Sequence, residues 1–248
     1  MTDEAQNEMK ELSRNQIIAW WGSIVGVCLV IAFGSIFVTR AYLERRNYEI
    51  ENYRPPHVAK LETDLNAVNR DGTQVSLGQL RGKVYVAGYQ YTDCPAGCLG
   101  MASIMKLLEE EFGDDPQFRL VSISVNPSGD NPEKMDAWVK ENGVDSDDWW
   151  FLTGEPEEIT KYMISQFMFF ATEKVTDPAL ISSVGEFSHD QRLALVDGGA
   201  NVRGYYDVMN FERGELELQR LRMDLKLVLN PELKLSGIEK EFTLKPAE

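Results

Sequence analysis

The chain has 248 residues, of which 43% are hydrophobic and 26% are charged, enough for one domain with a substantial core and some additional segments. Its formal net charge of −15 argues against nucleic-acid binding, because an acidic surface repels phosphates. Three cysteines and two histidines are too few for a disulfide-stapled scaffold or for a zinc protein with many ligands.

The N-terminal region contains a candidate membrane anchor. Residues 1–16 are polar and mixed in charge, which predicts a disordered tail, whereas residues 17–38 contain no charged side chain. An apolar run of that length spans a bilayer as a helix. Trp20 and Trp21 lie near one end of the run and Tyr42 lies past the other, as aromatic residues do at membrane interfaces. The run continues past its marginal signal-peptide cleavage site, so we expect an uncleaved anchor, with cleavage as the alternative.

The rest of the chain divides into a connecting segment, a domain and a tail. Residues 39–60 are charged and then interrupted by Pro55-Pro56, which predicts a linker or a short helix extension. We expect the globular domain over residues 61–230. Residues 231–248 follow the last helical pattern and predict a loose tail.

The most informative stretch is Cys94-Pro95-Ala96-Gly97-Cys98, which follows a predicted strand over residues 84–91. It leads into a helix whose apolar face is spaced by three and four residues: Cys98, Met101, Met105, Leu108 and Phe112. Thiolates form readily at a helix N-terminus, and if the helix reaches back to Cys94, both sulfurs lie on one side. Such a pair could hold a soft metal such as Cu(I), or it could cycle between dithiol and disulfide. The alternative is a pair of buried structural cysteines.

The elements around this stretch alternate between strands and helices. An Asp-Gly hairpin near residues 69–72 precedes the thiol strand. After the thiol helix, the sequence predicts a buried strand at 118–125, a helix at 133–141, a strand at 149–154 and a helix from Pro156. The remaining predicted elements are an aromatic strand-like segment at 167–175, a long loop at 176–190 that holds His189, a hairpin of 192–197 with 202–206, and a helix at 212–229. This order predicts a thioredoxin-like α/β fold, a mixed sheet with helices on both faces. The thiols would lie at the carboxyl end of a strand, where open α/β sheets place their sites.

At this point the domain resembles the Sco/SenC family of copper chaperones in cytochrome oxidase assembly. The family's Cys-Pro-x-x-Cys-Pro loop corresponds to residues 94–98, and its Ser-Val-Asp-Pro motif, with a following Asp, corresponds to Ser124-Val125-Asn126-Pro127 and Asp130. Its Leu-Thr-Gly motif corresponds to residues 152–154, and its histidine before a Leu-Ile-Asp-x-x-Gly-like strand corresponds to His189. The resemblance covers residues 61–230, and Leu99 and Asn126 depart from the family pattern.

The resemblance implies that Cys94, Cys98 and His189 bind one copper ion. It implies a metallochaperone rather than an enzyme, with thiol–disulfide activity left open. Its partners would be an upstream copper donor and the copper-site subunit of a respiratory oxidase. Two thiolates suit Cu(I), and an added imidazole would let the site hold Cu(II) as well.

The predicted topology depends on the same resemblance. Basic residues are more numerous after the anchor than before it, so the positive-inside rule alone would place the domain in the cytoplasm. We let the resemblance outweigh this small bias. We expect residues 1–16 in the cytoplasm, a single pass through the inner membrane, and the domain in the periplasm, or in the intermembrane space if the protein is mitochondrial.

Two other functions use the same thiols. A thiol–disulfide reductase could keep the cysteines of the oxidase copper site reduced, and a thiol peroxidase shares the fold. The Cys-x-x-x-Cys spacing is one residue longer than that of thioredoxins, and there is no proline immediately before Arg192, so copper binding is favoured. His189 could instead be a surface-loop histidine, and we expect the methionines to pack in the core: Met101, Met105, Met163 and Met168.

Overall fold

The computed structural model of the protein describes residues 14–94, 97–144 and 146–235, and for residues 97, 98 and 182–184 it describes the backbone alone. The chain divides into two units, one ending at Tyr53 and the other beginning at Arg54.

The first unit consists of one helix, α1 (Arg14–Glu51), which has 38 residues. It is long and apolar enough to cross a membrane, and none of its residues is buried. At a rise of about 1.5 Å per residue it is roughly 57 Å long, well beyond a hydrocarbon core of about 30 Å. The predicted helix extension beyond residue 38 is therefore present, and Arg45 Nε pairs with Glu49 Oε1 at 3.0 Å within it.

Within the described part of the second unit, eight strands form one mixed sheet in the order β1-β10-β9-β4-β5-β6-β2-β3. These strands are β1 (Ala59–Lys60), β2 (Asn66–Asn69), β3 (Gln74–Ser76), β4 (Val84–Gln90), β5 (Phe118–Ser124), β6 (Trp149–Thr153), β9 (Leu193–Val196) and β10 (Asn201–Tyr206). The central β4, β5 and β6 are parallel, and the other neighbours pair antiparallel. The second sheet pairs β7 (Glu173–Lys174) with β8 (Phe187–Ser188).

Helices cover both faces of the large sheet, as the sequence predicts. They are α2 (Gly97–Phe112), α3 (Pro132–Glu141), α4 (Pro156–Ser165) and α6 (Gly214–Leu229), and a 3-10 turn spans Leu77–Leu80. The short helix α5 (Pro178–Val184) lies beside β8 of the second sheet. Alternate residues of β4 feed the two cores, because successive side chains of a strand point to opposite faces. Tyr85 belongs to the core cluster that includes residues of α4 and the 3-10 turn, whereas Val86 belongs to the cluster that includes residues of α2, α3 and α6.

The apolar face of α2 is confirmed where its side chains are described. Met101, Met105, Leu108 and Phe112 are all buried. The predicted fifth member of this face, Cys98, has its backbone in the first turn of α2, and its side chain lies outside the description.

Two predicted segments between α4 and β9 differ from the structure. The strand predicted over residues 167–175 is reduced to β7, and Met168, with φ 52°, interrupts the extended backbone at its start. The loop predicted over residues 176–190 contains α5 and β8. Asp177 caps α5 by accepting a hydrogen bond from Ala179 N at 2.9 Å, with Pro178 in the first turn.

The boundaries of the domain also extend past the predicted ones. Strand β1 lies inside the predicted linker of residues 39–60, where Ala59 pairs with Val202 of β10. Arg203 Nε donates to Pro55 O at 3.1 Å and fastens the same segment. At the other end Leu235 is buried, while the predicted tail beyond it, like residues 1–13, lies outside the described residues.

Candidate metal centre

The first predicted ligand, Cys94, lies between the carboxyl end of β4 and the start of α2. Cys94 is 9% exposed, and α2 begins at Gly97, so Cys94 precedes the helix. The condition for an i, i+4 stacking of the two sulfurs on one helix is therefore not met. Residues 95–96 lie outside the description, and the backbone of Cys98 occupies the first turn of α2. Both cysteines thus lie at the strand–helix junction where the sequence places them.

A buried carboxylate fixes the loop that precedes Cys94. Asp130, only 1% exposed, accepts hydrogen bonds from Thr92 Oγ1 at 2.5 Å, from Thr92 N at 3.3 Å and from Ser124 Oγ at 2.6 Å. From α3, Lys134 Nζ binds Asp93 Oδ2 at 2.5 Å and lies 4.0 Å from Asp130 Oδ1. Because β5 and α3 both contribute, the two residues before Cys94 are anchored from two elements.

The predicted histidine ligand packs on the same strand that leads to Cys94. The His189 ring makes edge contacts with Tyr89 and Tyr91, with centroid distances of 6.0 and 5.9 Å. Phe187 N donates to Tyr91 Oη at 3.3 Å, and the two rings meet edge-on at 5.5 Å. The aromatic end of β4 therefore holds the segment that carries His189 beside the strand that leads to Cys94.

The protonation pattern of His189 follows from its backbone contact. Its Nδ1 lies 2.9 Å from the carbonyl oxygen of Asp190, which can only accept a hydrogen bond. In the neutral imidazole, Nδ1 therefore carries the proton and donates it, and Nε2 has the lone pair. Ligating histidines are usually held in this way, with one nitrogen bonded to protein and the other facing a metal.

The residue after His189 is a buried acid. Burial by itself raises the pKa of Asp190, but hydrogen bonds from Arg192 and from Phe170 N outweigh it and bring the pKa below its usual value. Asp190 and Arg192 line an open cleft of about 400 Å³, together with residues that include Phe170, His189 and Asp207. His189 is thus reached from solvent while its neighbour is buried.

The described side chains do not complete a metal site by themselves. Among them, no group of three His, Cys, Asp or Glu side chains is close enough to hold a metal ion, and the side chain of Cys98 is not among those described. The three-ligand set therefore stays a prediction. Core packing is confirmed for Met101, Met105 and Met163, but wrong for Met168, which is 58% exposed.

Sequence reasoning found the cysteines and the histidine but not the residues that support them. Asp130 is marked in the sequence only by its place after the Ser124-Val125-Asn126-Pro127 motif, and its contact with Thr92 spans 38 positions. The Asp190–Arg192 pair and the two tyrosines likewise become recognisable only when the fold brings β4, β8 and β9 together.

The fold and this arrangement define a thioredoxin-like protein with two cysteines at a strand–helix junction and a histidine whose ring packs against the end of that strand. The family model for SCO1/SenC proteins matches residues 54–220, and the chain belongs to that family. It is 32% identical over 101 residues to the SCO1 protein homolog of Bacillus subtilis (strain 168), a match that covers 40% of this chain. The match spans about half of that relative, 52% of its length.

Two solved structures show the same fold. BsSco, a member of the Sco family of cytochrome c oxidase assembly proteins in which a disulfide switch has been identified, matches with a TM-score of 0.55 and 22% identity, covering 71% of this chain and 99% of BsSco. ScoI of Bradyrhizobium japonicum, solved with copper bound, matches with a TM-score of 0.52 and 22% identity, covering 64% of this chain and 96% of ScoI. The thioredoxin-like fold expected from the sequence is confirmed.

Proposed function

We propose that this protein is a membrane-anchored copper chaperone that binds one copper ion through Cys94, Cys98 and His189. The copper is cargo, received from an upstream donor and delivered to the copper-site subunit of a respiratory oxidase. In this proposal the copper-binding domain is the second unit, which begins at Arg54 and contains residues 61–230. Membership of the SCO1/SenC family and the copper-bound relative support the choice of metal.

The observation that carries the proposal is the placement of His189. Its ring is held against Tyr89 and Tyr91 of the strand that leads to Cys94, and its Nδ1–H is engaged by a backbone carbonyl. Two thiolates are sufficient soft ligands for Cu(I), and an imidazole Nε2 adds the harder ligand that Cu(II) prefers. A thiol–disulfide reductase would use the same cysteines but has no need of an imidazole presented in this way, so we favour copper binding.

Copper titration of the full-length chain in detergent tests the thiol ligands. We expect one equivalent of Cu(I) to bind tightly, and we expect Cys94→Ser or Cys98→Ser to abolish tight binding, because the thiolate is the ligand. Cys28→Ser is the matched control, since Cys28 is an exposed residue of α1 and lies in the other unit. Tight one-to-one binding that survives in either site variant would contradict the proposal.

The proposed orientation places the N-terminus in the cytoplasm and the domain outside the inner membrane. The long apolar helix α1 supports an anchor, and folded domains can cross against a small charge bias. Alkaline phosphatase fused after Glu248 should be active, and a reporter that works only in the cytoplasm should be inactive there. The reverse pattern would remove the delivery role, because the copper site would then face the wrong compartment.

A further inference from the structure

Immediately after the proposed histidine ligand, Asp190 forms a dense set of hydrogen bonds. Its side chain is 1% exposed and pairs with Arg192 Nη2 at 2.6 Å. The same carboxylate accepts from Arg192 Nε at 2.9 Å, from Arg192 N at 3.0 Å and from Phe170 N at 3.0 Å. These bonds close the backbone into a fixed turn directly after His189.

Aromatic rings surround the guanidinium of Arg192, the partner of Asp190 in this ion pair. The Arg192 guanidinium lies 4.6 Å from the ring centre of Phe170, 4.8 Å from that of Tyr205 and 5.9 Å from that of Phe169. Tyr205 Oη in turn donates to Phe167 O at 2.8 Å. The ion pair therefore joins three parts of the chain: residues 167–170, strand β10 and the turn after His189.

This arrangement constrains the imidazole through the backbone. His189 Nδ1–H donates to the carbonyl of Asp190, so the direction of that carbonyl sets both the ring orientation and the tautomer. The carbonyl belongs to the residue whose side chain Arg192 holds by a bidentate pair. Loss of the pair would leave a buried carboxylate without its cation, and the turn would have to rearrange.

We propose that Asp190 and Arg192 are positioning residues, which keep Nε2 of His189 aimed at the copper site. This inference rests on the proposed function, because it assigns the pair a role only if His189 is a ligand. It predicts that the Asp190–Arg192 pair affects the binding of one copper oxidation state more than that of the other. Cu(II), which gains most from the imidazole, depends on the pair, whereas Cu(I), held by two thiolates, depends on it little.

The test compares Arg192→Gln with Arg203→Gln in the full-length chain in detergent. Arg203 forms an ion pair with Asp197 at 3.0 Å, with both side chains mostly buried, and is the matched control. That pair lies near the opposite end of β4, where Gly82 N donates to Gly198 O at 2.9 Å. Both variants therefore break a largely buried arginine–aspartate pair, but only one of them adjoins His189.

We expect Arg192→Gln to lower Cu(II) affinity by about 10–100-fold, the range seen when a group that orients a ligand is removed. Its sulfur-to-copper absorption band should shift, and its Cu(I) affinity should change by less than about threefold. Arg192→Lys keeps the charge but not the bidentate fork and should be intermediate. Arg203→Gln should lower the unfolding midpoint and leave both copper affinities and the spectrum unchanged.

Two outcomes would overturn the inference, and they differ from a failure of the proposed function. If His189→Ala loses Cu(II) while Arg192→Gln binds it with parental affinity and spectrum, only the positioning role fails. If His189→Ala has no effect, the ligand assignment itself fails. Nitrogen-15 NMR of the parent protein tests the geometry even if Arg192→Gln does not fold: we expect the Nδ1–H tautomer of His189, and the Nε2–H tautomer would overturn the inference.

Discussion

The substitution Asp130→Asn should lower the free energy of unfolding, and the contacts of Asp130 determine by how much. The Oδ1 atom accepts from Thr92, and an asparagine oxygen in that place retains those bonds. The Oδ2 atom accepts from Ser124 Oγ at 2.6 Å and, more weakly, from Thr92 N at 3.4 Å, and an amide NH₂ in its place can accept neither bond. One lost hydrogen bond to a buried charge costs about 1.5–3 kcal/mol. Lys134 adds less than about 1 kcal/mol, because its side chain is 37% exposed and its amine is 4.0 Å away.

Urea unfolding of the full-length chain in detergent, followed by circular dichroism, measures this loss, which we expect at about 2–3 kcal/mol. The matched control is Asp71→Asn. Asp71 accepts the same two kinds of bond, from Thr73 N and Thr73 Oγ1, but on one oxygen and at the surface. Its substitution should cost about 0.5 kcal/mol or less.

The same Asp130 variant should expose the thiol loop. Thr92 and Asp93 precede Cys94, so a loosened anchor should speed alkylation of Cys94, which is 9% exposed in the parent. Mass spectrometry after a short pulse of alkylating reagent measures the rate. An Asp130→Asn protein within about 0.5 kcal/mol of the parent, with unchanged alkylation of Cys94, would refute the reasoning that this carboxylate anchors the loop.

Two further predictions concern the thiols and the acid stability. Cys94 and Cys98 should form a disulfide on mild oxidation, seen as a loss of two hydrogens within one peptide, and oxidation should block copper binding; both thiols remaining open to alkylation would contradict this. Burial raises the pKa of Asp197, but hydrogen bonds from Asn201 and Arg203 outweigh it and leave the pKa below its ordinary value of 3.8. Its contribution to stability is therefore complete above pH 3.8 and is lost as the pH falls through the lower folded value. Asp197→Asn should lose stability at neutral pH, and the loss should shrink at about pH 2.5; an equal loss at both would contradict the assignment.

Much of the fold can be predicted from the sequence, because the spacing of hydrophobic residues in its core elements is strongly periodic. The buried runs of β4 and β5 and the three-and-four spacing in α2 identify the core elements without any tertiary information. The Asp-Gly turn between β2 and β3 and the hairpin of β9 with β10 are local in the same sense. These elements establish the position of the thiol loop.

The secondary structure of the segment between α4 and β9 is harder to predict from the sequence, because tertiary contacts determine it. Phe167 and Phe169 are buried and alternate as in a strand, but the positive φ of Met168 turns the backbone between them. Helix α5 is too short for its period to stand out. Strand β1 exists because β10 offers an edge for it to pair with, which no local pattern reveals.

The residues of the candidate site likewise divide into those that the sequence identifies and those that only the fold reveals. The paired cysteines are a local motif, and His189 is identified through the family resemblance, which places a histidine before the strand that is β9 here. Asp130, Tyr91 and Arg192 support those residues through contacts between segments that are distant in the chain. Their side-chain types alone give no sign of these roles.

The central claim, that His189 is a copper ligand beside the two thiols, is tested most directly by copper binding to His189→Ala. Both oxidation states should be titrated in the full-length chain. We expect the variant to keep appreciable Cu(I) binding through two thiolates and to lose most Cu(II) binding, together with the sulfur-to-copper absorption band. A variant that binds Cu(II) with the affinity and spectrum of the parent would show that His189 is not a ligand, and the reductase function would then be the better account of the two cysteines.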